Sequence, residues 1–290
     1  MNWVPPDAWL APGYAEWQAP AVLRGQVACL WVSVVSDTAV PSPSPVLPDA
    51  CSDLIWEQGV GSHVAGPDTG PTRTPAMPGT VFVGVRFRPA AGGRVLGLPL
   101  SELRDQRVPL GGLLKGAARE LPATLRPAEA AGRLLDTAGR LIADSSPDHA
   151  VNTAVDLLRD PAARTEDVAA RVDLSERQFR RRAHAAIGYG PKTLQRILRF
   201  QRFVQLLDAA AEPPDLADLA AVTGYADQPH LTRECTALSG LTPATLARTR
   251  RPAGGEPTGV EPIGEIPLLS EGGEPRGAFA EELALSVVKR

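Results

Sequence analysis

The sequence predicts an α+β protein: a small β-rich N-terminal domain, half-barrel or sandwich, followed by an all-α tandem helix-turn-helix domain. Three observations carry that prediction. Short apolar runs of period two, separated by Pro and Gly, fill the first 110 residues; helical periodicity takes over from there to about residue 250; and the helical half contains an internal repeat. At 290 residues the chain exceeds the roughly 100–200 residues usual for one domain, which agrees with two.

Composition narrows the class further. A hydrophobic content of 43% and a net charge of -3 describe an ordinary globular chain. No run of about 18 apolar residues is present, and the opening "MNWVPPDAWLAPG" lacks a basic segment leading into an apolar one. A cytoplasmic location and no membrane partner are therefore expected. The three cysteines, Cys29, Cys51 and Cys235, are odd in number and match no zinc spacing, so reduced thiols are expected and no metal or cofactor is. Charge is unevenly spread. Residues 164–250 hold 13 Arg and Lys against 10 Asp and Glu, whereas residues 1–163 hold 13 against 16 and residues 251–290 hold 4 against 7.

The strand candidates are "GQVACLWVSVV" (25–35), "CSDLIWEQ" (51–58) and "TVFVGVRFRP" (80–89). In the last, Val81, Val83, Val85 and Phe87 alternate with Phe82, Gly84, Arg86 and Arg88, which predicts one buried face. "AVPSPSPVLPD" reads as a loop stiffened by its prolines. All five tryptophans lie within the first 56 residues, as core or as the wall of a ligand pocket. "PAEAAGRLLDTAGRLIAD" (127–144) spaces Ala131, Leu134, Leu135, Ala138 and Leu141 as one helix face, a connector or dimerisation helix.

Val151, Ala154, Val155 and Leu158 then mark a helix closed before Pro161. Thr165 offers an N-cap to "EDVAARV", and Ser175 with Gln178 forms a capping box for the helix after it. A longer helix, 190–210, carries Leu194, Ile197, Leu198, Phe203, Leu206 and Leu207 on its apolar side. Asp215 caps "LADLAAV", and Asp227 caps "QPHLTRECTAL", with Pro229 in the first turn where proline is tolerated. The second pair copies the first. Val168-Ala169-Ala170 matches Leu219-Ala220-Ala221 at an offset of 51; beyond the turn the offset is 52, and Ser175, Phe179, Arg181, Gly188 and Pro191 match Asp227, Leu231, Arg233, Gly240 and Pro243. Small alanines on each first helix permit a close crossing with the second, which is helix-turn-helix packing.

The stretch "DLSERQFRRRAHAAIG" puts Arg177, Arg180, Arg181, Arg182 and His184 into eight positions. With Phe179 turned into the core, Arg177, Arg180 and Arg181 point outward. A helix of this diameter fits the major groove, where arginine donates to guanine or phosphate.

The run "EDVAARVDLSERQFRRRAHAAIGYGPKTLQRILRFQRFVQLLDA", followed by "DLADLAAVTGYADQPHLTRECTALSGLTPATLA", resembles the tandem helix-turn-helix domain of AraC/XylS-type transcriptional regulators. The likeness includes the G-x-x-P closing each unit. The segment from "LPDACSDLIWEQG" to "LPLSELRDQRVPL" is similar to a sensor-like domain carried by one branch of that family. The resemblance implies base and phosphate contacts from Arg177, Arg180 and Arg181 in the first unit and from Gln228, His230, Thr232 and Arg233 in the second. The aromatic common near the middle of each recognition helix is here Ala183 or Cys235, which predicts looser packing, and Glu234 adds a carboxylate near the phosphate face.

Other groupings carry less chemistry. Cys51 with Asp49, Asp53 and His63 evokes a metal or nucleophile cluster, but the spacing fits no ligand pair; Cys51 reads as a small buried hydrophobe, with redox sensing as the alternative. His184 is expected on the helix surface. The expected domains are a β-rich sensor or dimerisation domain at 1–110, a helical connector at 111–149, the tandem helix-turn-helix at 150–250, and a flexible Gly/Pro/Glu-rich tail at 251–290. The expected function is sequence-specific DNA binding in transcription regulation, without catalysis, controlled by a small-molecule effector on the N-terminal domain. Promoter DNA, that effector, RNA polymerase and a second copy of the chain are the expected partners. The alternatives are a ligand-independent regulator, or a Cys- or metal-dependent enzyme fused to a DNA-binding domain.

Overall fold

The alternation read at 80–89 becomes the centre of a six-stranded antiparallel sheet. The computed structural model describes residues 9–10, 12–36, 45–73, 77–114, 120–210, 212 and 214–250. The strands are β1 (Gly13–Gln18), β2 (Val27–Val34), β3 (Ser52–Glu57), β4 (Gly61–Ala65), β5 (Val81–Phe87) and β6 (Arg107–Pro109), in spatial order β1-β2-β5-β3-β4-β6. Register carries one row across all six: Trp17, Leu30, Val85, Leu54, Val64 and Val108. Because side chains alternate along a strand, the adjacent rows face the other way.

Two short helices, α1 (Gly92–Leu96) and α2 (Leu110–Leu113), flank β6 in sequence, and α3 (Pro127–Ala143) follows. α3 was expected to be a connector or dimerisation helix. Instead, Ala131, Leu134, Leu135 and Ala138 are completely buried on the sheet, in one core with Leu30, Leu54, Trp56, Val83 and Val85. Its apolar face closes the β domain.

The opposite face of the sheet is also covered, contrary to the one-sided burial expected of β5. Cys29, Trp31, Ile55, Ala65 and Phe82 are buried there. Gly84 explains how Trp31 fits: a Cβ at that position would lie 2.1 Å from the indole, so the ring rests directly on the strand backbone. The tryptophans thus form no single cluster, since Trp56 and Trp31 lie on opposite faces.

The helical half comprises α4 (His149–Leu157), α5 (Thr165–Arg171), α6 (Glu176–Ile187), α7 (Pro191–Ala209), α8 (Leu216–Thr223), α9 (Gln228–Ser239) and α10 (Pro243–Arg250). α7 runs through its core, with Leu194, Ile197, Phe200 and Phe203 fully buried. α5 begins one residue earlier than expected: Thr165, the expected cap, is its first helical residue, and Arg164 precedes it without a side-chain cap bond. The tail from 251, and residues 39–44 of the proline loop, lie outside the described residues.

The two halves share core. Ala50 and Ala90, from the loops before β3 and after β5, are buried among the helices of the second half, and Leu47 packs beside them. Gln201 of α7 donates to the Pro48 carbonyl at 2.6 Å.

Candidate nucleic-acid interface

The first unit is set by its caps and its anchor. Ser175 Oγ accepts from the Gln178 N–H, and Gln178 Oε1 accepts from the Ser175 N–H, closing the capping box at the start of α6. Phe179 is 1% exposed, wedged beneath α5 with Val168 and Ala169. That rotation leaves Arg177, Arg180 and Arg181 exposed. Among the described residues no carboxylate lies within ion-pair distance of any of the three. Arg182, one step further round, is drawn aside by Asp148 at 3.4 Å. Asp148 also faces Arg94 of α1 at 3.5 Å and caps α4 by accepting from the Val151 N–H.

The second unit repeats the frame. Asp215 accepts from the Ala217 N–H at 2.7 Å and Asp227 from the His230 N–H at 2.6 Å, while Leu231 takes the place of Phe179. Gly188 and Gly240 end α6 and α9 with matching positive φ of 96° and 71°. Gln228 and Arg233 are exposed. His230 and Thr232 are half-buried and already engaged: His230 Nδ1 accepts from the Ala226 N–H at 3.3 Å with its ring edge-on to Tyr225, and the Thr232 hydroxyl donates to the Gln228 carbonyl at 3.0 Å. All seven expected residues therefore lie on α6 and α9, but with unequal freedom.

The two non-aromatic core positions are both enclosed. Ala183 and Cys235 are both fully buried, and the Cys235 thiol sits against Ser239 and the Leu241 carbonyl. Glu234 is likewise spoken for. Arg196 of α7 grips it with two bonds, Nε at 2.7 Å and Nη2 at 3.1 Å, which sequence spacing could not reveal across 38 residues. Arg199, a turn further on, lies over the Tyr225 ring at 5.5 Å.

His184 is half-buried rather than simply on the surface. Burial, helped by Arg180 and Arg104, holds its pKa below the ordinary value and favours the neutral ring.

The β domain holds a charge cluster that the sequence did not announce. On the sheet face opposite α3, register sets Arg86 between Cys29 and Asp53. Arg86 reaches Glu16 at 3.1 Å, Asp53 at 3.1 Å and Asp49 at 3.4 Å, and the Trp31 indole N–H donates to Asp53 at 2.6 Å. Burial raises the Asp53 pKa against the pull of Arg86. The grouping of Cys51 with Asp49, Asp53 and His63 resolves into structural roles. The Cys51 N–H donates to Asp49, and burial and Asp49 push its thiol pKa up, away from thiolate. His63 faces Ile55 across β3 and β4, its pKa lowered to about 4 by burial and Arg107. Among the described residues no group of His, Cys, Asp and Glu could hold a metal.

Comparisons with known proteins follow this division. Residues 168–249 match the model of a helix-turn-helix domain, and residues 15–109 match a domain of unknown function, DUF6597. This is an AraC-type helix-turn-helix domain. It makes the chain a DNA-binding transcription regulator. ToxT from Vibrio cholerae is similar in structure at 11% identity, with a TM-score of 0.43 over 79% of this chain and 97% of that one. A second ToxT structure, with unsaturated fatty acid bound, is 10% identical and gives 0.39 over 71% and 89%. A search of curated proteins found no match. Among the described residues no helix is long and apolar enough to cross a membrane.

The Arg196–Glu234 pair ties α9 of the AraC-type domain to α7. Arg196→Met or Glu234→Gln should each cost about 0.5–1 kcal/mol in urea unfolding, as expected of a half-exposed bidentate pair. The double variant should cost clearly less than the sum of the two. Additive losses would mean the two side chains act separately.

Proposed function

We propose that the chain reads promoter DNA with both recognition helices and is controlled by a small-molecule effector held by the N-terminal domain. Arg177, Arg180 and Arg181 of α6 make the first set of contacts; Gln228 and Arg233 lead the second, with His230 and Thr232 beside them. One observation supports this above all: two copies of a capped, anchored helix, both packed into one core with α7, present exposed donors at the same register, Arg181 and Arg233. Arginine at such a position donates bidentately to guanine or binds phosphate. Effector control is supported by the shared core, since a shift of the 45–50 loop or of α1 cannot leave α6 and α7 undisturbed.

Contact type can be measured. Arg181→Ala should cost about 1–3 kcal/mol on the specific site and relax preference at one base pair if the side chain reads a base edge. A phosphate contact would instead weaken all sequences alike. Equal binding by variant and parent at every salt concentration would remove Arg181 from the interface.

Spacing tests whether both units read. Two recognition helices on one stiff helix should enter successive major grooves about 10 base pairs apart on one face of the duplex. Inserting about five base pairs between the contacted segments turns the second to the opposite face, and anisotropy titration should show affinity falling toward that of one half-site. Undiminished affinity would show that one unit suffices.

The effector has its own readout. Because every tryptophan lies in the first 56 residues, the pathway metabolite that acts as effector should shift the tryptophan emission of the DNA-free protein. Metabolites that leave both emission and melting temperature unchanged would favour the ligand-independent regulator.

A further inference from the structure

The N-terminal domain stands against the first recognition helix itself. Gly93 of α1 packs on the backbone of α6 so closely that a Cβ there would lie 2.4 Å from the Ala185 carbonyl oxygen. Beside this contact, between the single turn Leu100–Glu102 and the outer face of α6, lies an open cleft of about 490 Å³. Pro99 and Ser101 form one wall; Arg177, Arg180, Arg181 and His184 form the other. Three arginines line the cleft together with Pro99, Ala185 and the His184 ring, which favours its neutral form, and no carboxylate does.

Arg104, just beyond the turn, adds to the same field, for it is near enough to disfavour the charged form of His184. Its side chain is 44% exposed, and its ion-pair partner Asp105 is distant at 3.9 Å. Asp105 is occupied elsewhere, accepting from the Thr69 N–H at 2.6 Å and the Thr69 hydroxyl at 2.9 Å.

A long anion suits such a cleft better than a small one. The major groove is about 12 Å wide and a helix with its side chains about 10–12 Å across, so a helix in the groove has a sugar-phosphate strand running along each flank. One flank of α6 is this cleft. We infer that the N-terminal domain takes part in DNA binding directly: one phosphodiester strand bordering the groove read by α6 lies in the cleft, with Arg104 and the Ser101 hydroxyl against its phosphates. This rests on α6 being the recognition helix.

The test uses the full chain, titrated with the specific duplex and with a random duplex over a range of salt. Arg104→Ala should weaken both duplexes by the same factor and reduce the magnitude of the log–log salt slope by about one unit. Arg104→Lys should restore most of the slope, and Arg104→Glu should weaken binding further. Arg104 is exposed, so circular dichroism melting should be unchanged and loss of binding will not reflect loss of fold. An unchanged slope in Arg104→Ala overturns the inference. Tighter binding by Arg104→Ala or Arg104→Glu overturns it too, and would make the turn a barrier to DNA. Arg177→Ala and Arg181→Ala separate the two levels: if they weaken binding and Arg104→Ala does not, only the inference fails; if none of the three matters, the assignment of α6 fails with it.

Discussion

The placement of both helix-turn-helix units depends on the burial of α7. Ile197, Phe200, Phe203 and Leu194 are fully enclosed, and each such side chain contributes about 1.5–3 kcal/mol by leaving water. Neither helix-turn-helix unit is large enough to build a core alone. The first packs Phe179, Ala183 and Ile187 into the shared apolar cluster, and the second packs Leu231, Cys235 and Leu238 into the same one. The relative placement of α6 and α9 is consequently a property of α7 rather than of any direct contact between them, and the Arg196–Glu234 and Arg199–Tyr225 contacts fasten the second unit to it.

The N-terminal domain enters the same arrangement through few residues. Ala50 and Ala90 have φ of 68° and 70°, a region that favours glycine, yet both carry their methyl groups into the helical core. The loop holding Ala50 also supplies the Pro48 carbonyl to Gln201 and the Asp49 carboxylate to Arg86. One loop thus touches the charge cluster on the sheet and the helix that both helix-turn-helix units share. Tyr189, almost completely buried, lies in this region too, its phenol pKa raised by burial with Asp49 and Cys51 nearby.

The repeat was legible because caps and anchors are local. Ser175, Asp215 and Asp227 act as the sequence indicates, since a side chain that bonds a backbone two or three residues away needs nothing else. Strands β2, β3 and β5 were legible from their apolar runs. β1, β4 and β6 were not: β1 carries a polar residue at Glu16, β4 follows its partner by a tight turn at Gly59, and β6 is three residues long. Contacts between the halves were illegible for a different reason. Nothing in "AAGGRVL" singles out Gly93, and only the approach of α6, more than 90 positions away, gives its missing side chain a meaning.

An acidic chain that binds a polyanion must arrange its carboxylates as carefully as its arginines. Here several acids close to the helix-turn-helix units are engaged, while Asp167, Asp173, Glu176 and Asp218 stay exposed. Asp148, Asp215 and Asp227 spend their oxygens on helix N-termini, where the helix dipole favours negative charge, and Glu234 is neutralised by Arg196. The three outward arginines of α6 have no such partner among the described residues. At about 0.15 M salt, charges more than about 8 Å apart are largely screened. A phosphate close to α6 is therefore governed by these local cations and not by the net charge of -3, which is set largely by residues elsewhere in the chain. The overall negative charge is thus compatible with tight contact and bears mainly on long-range approach, where at low salt it should slow encounter with DNA of any sequence.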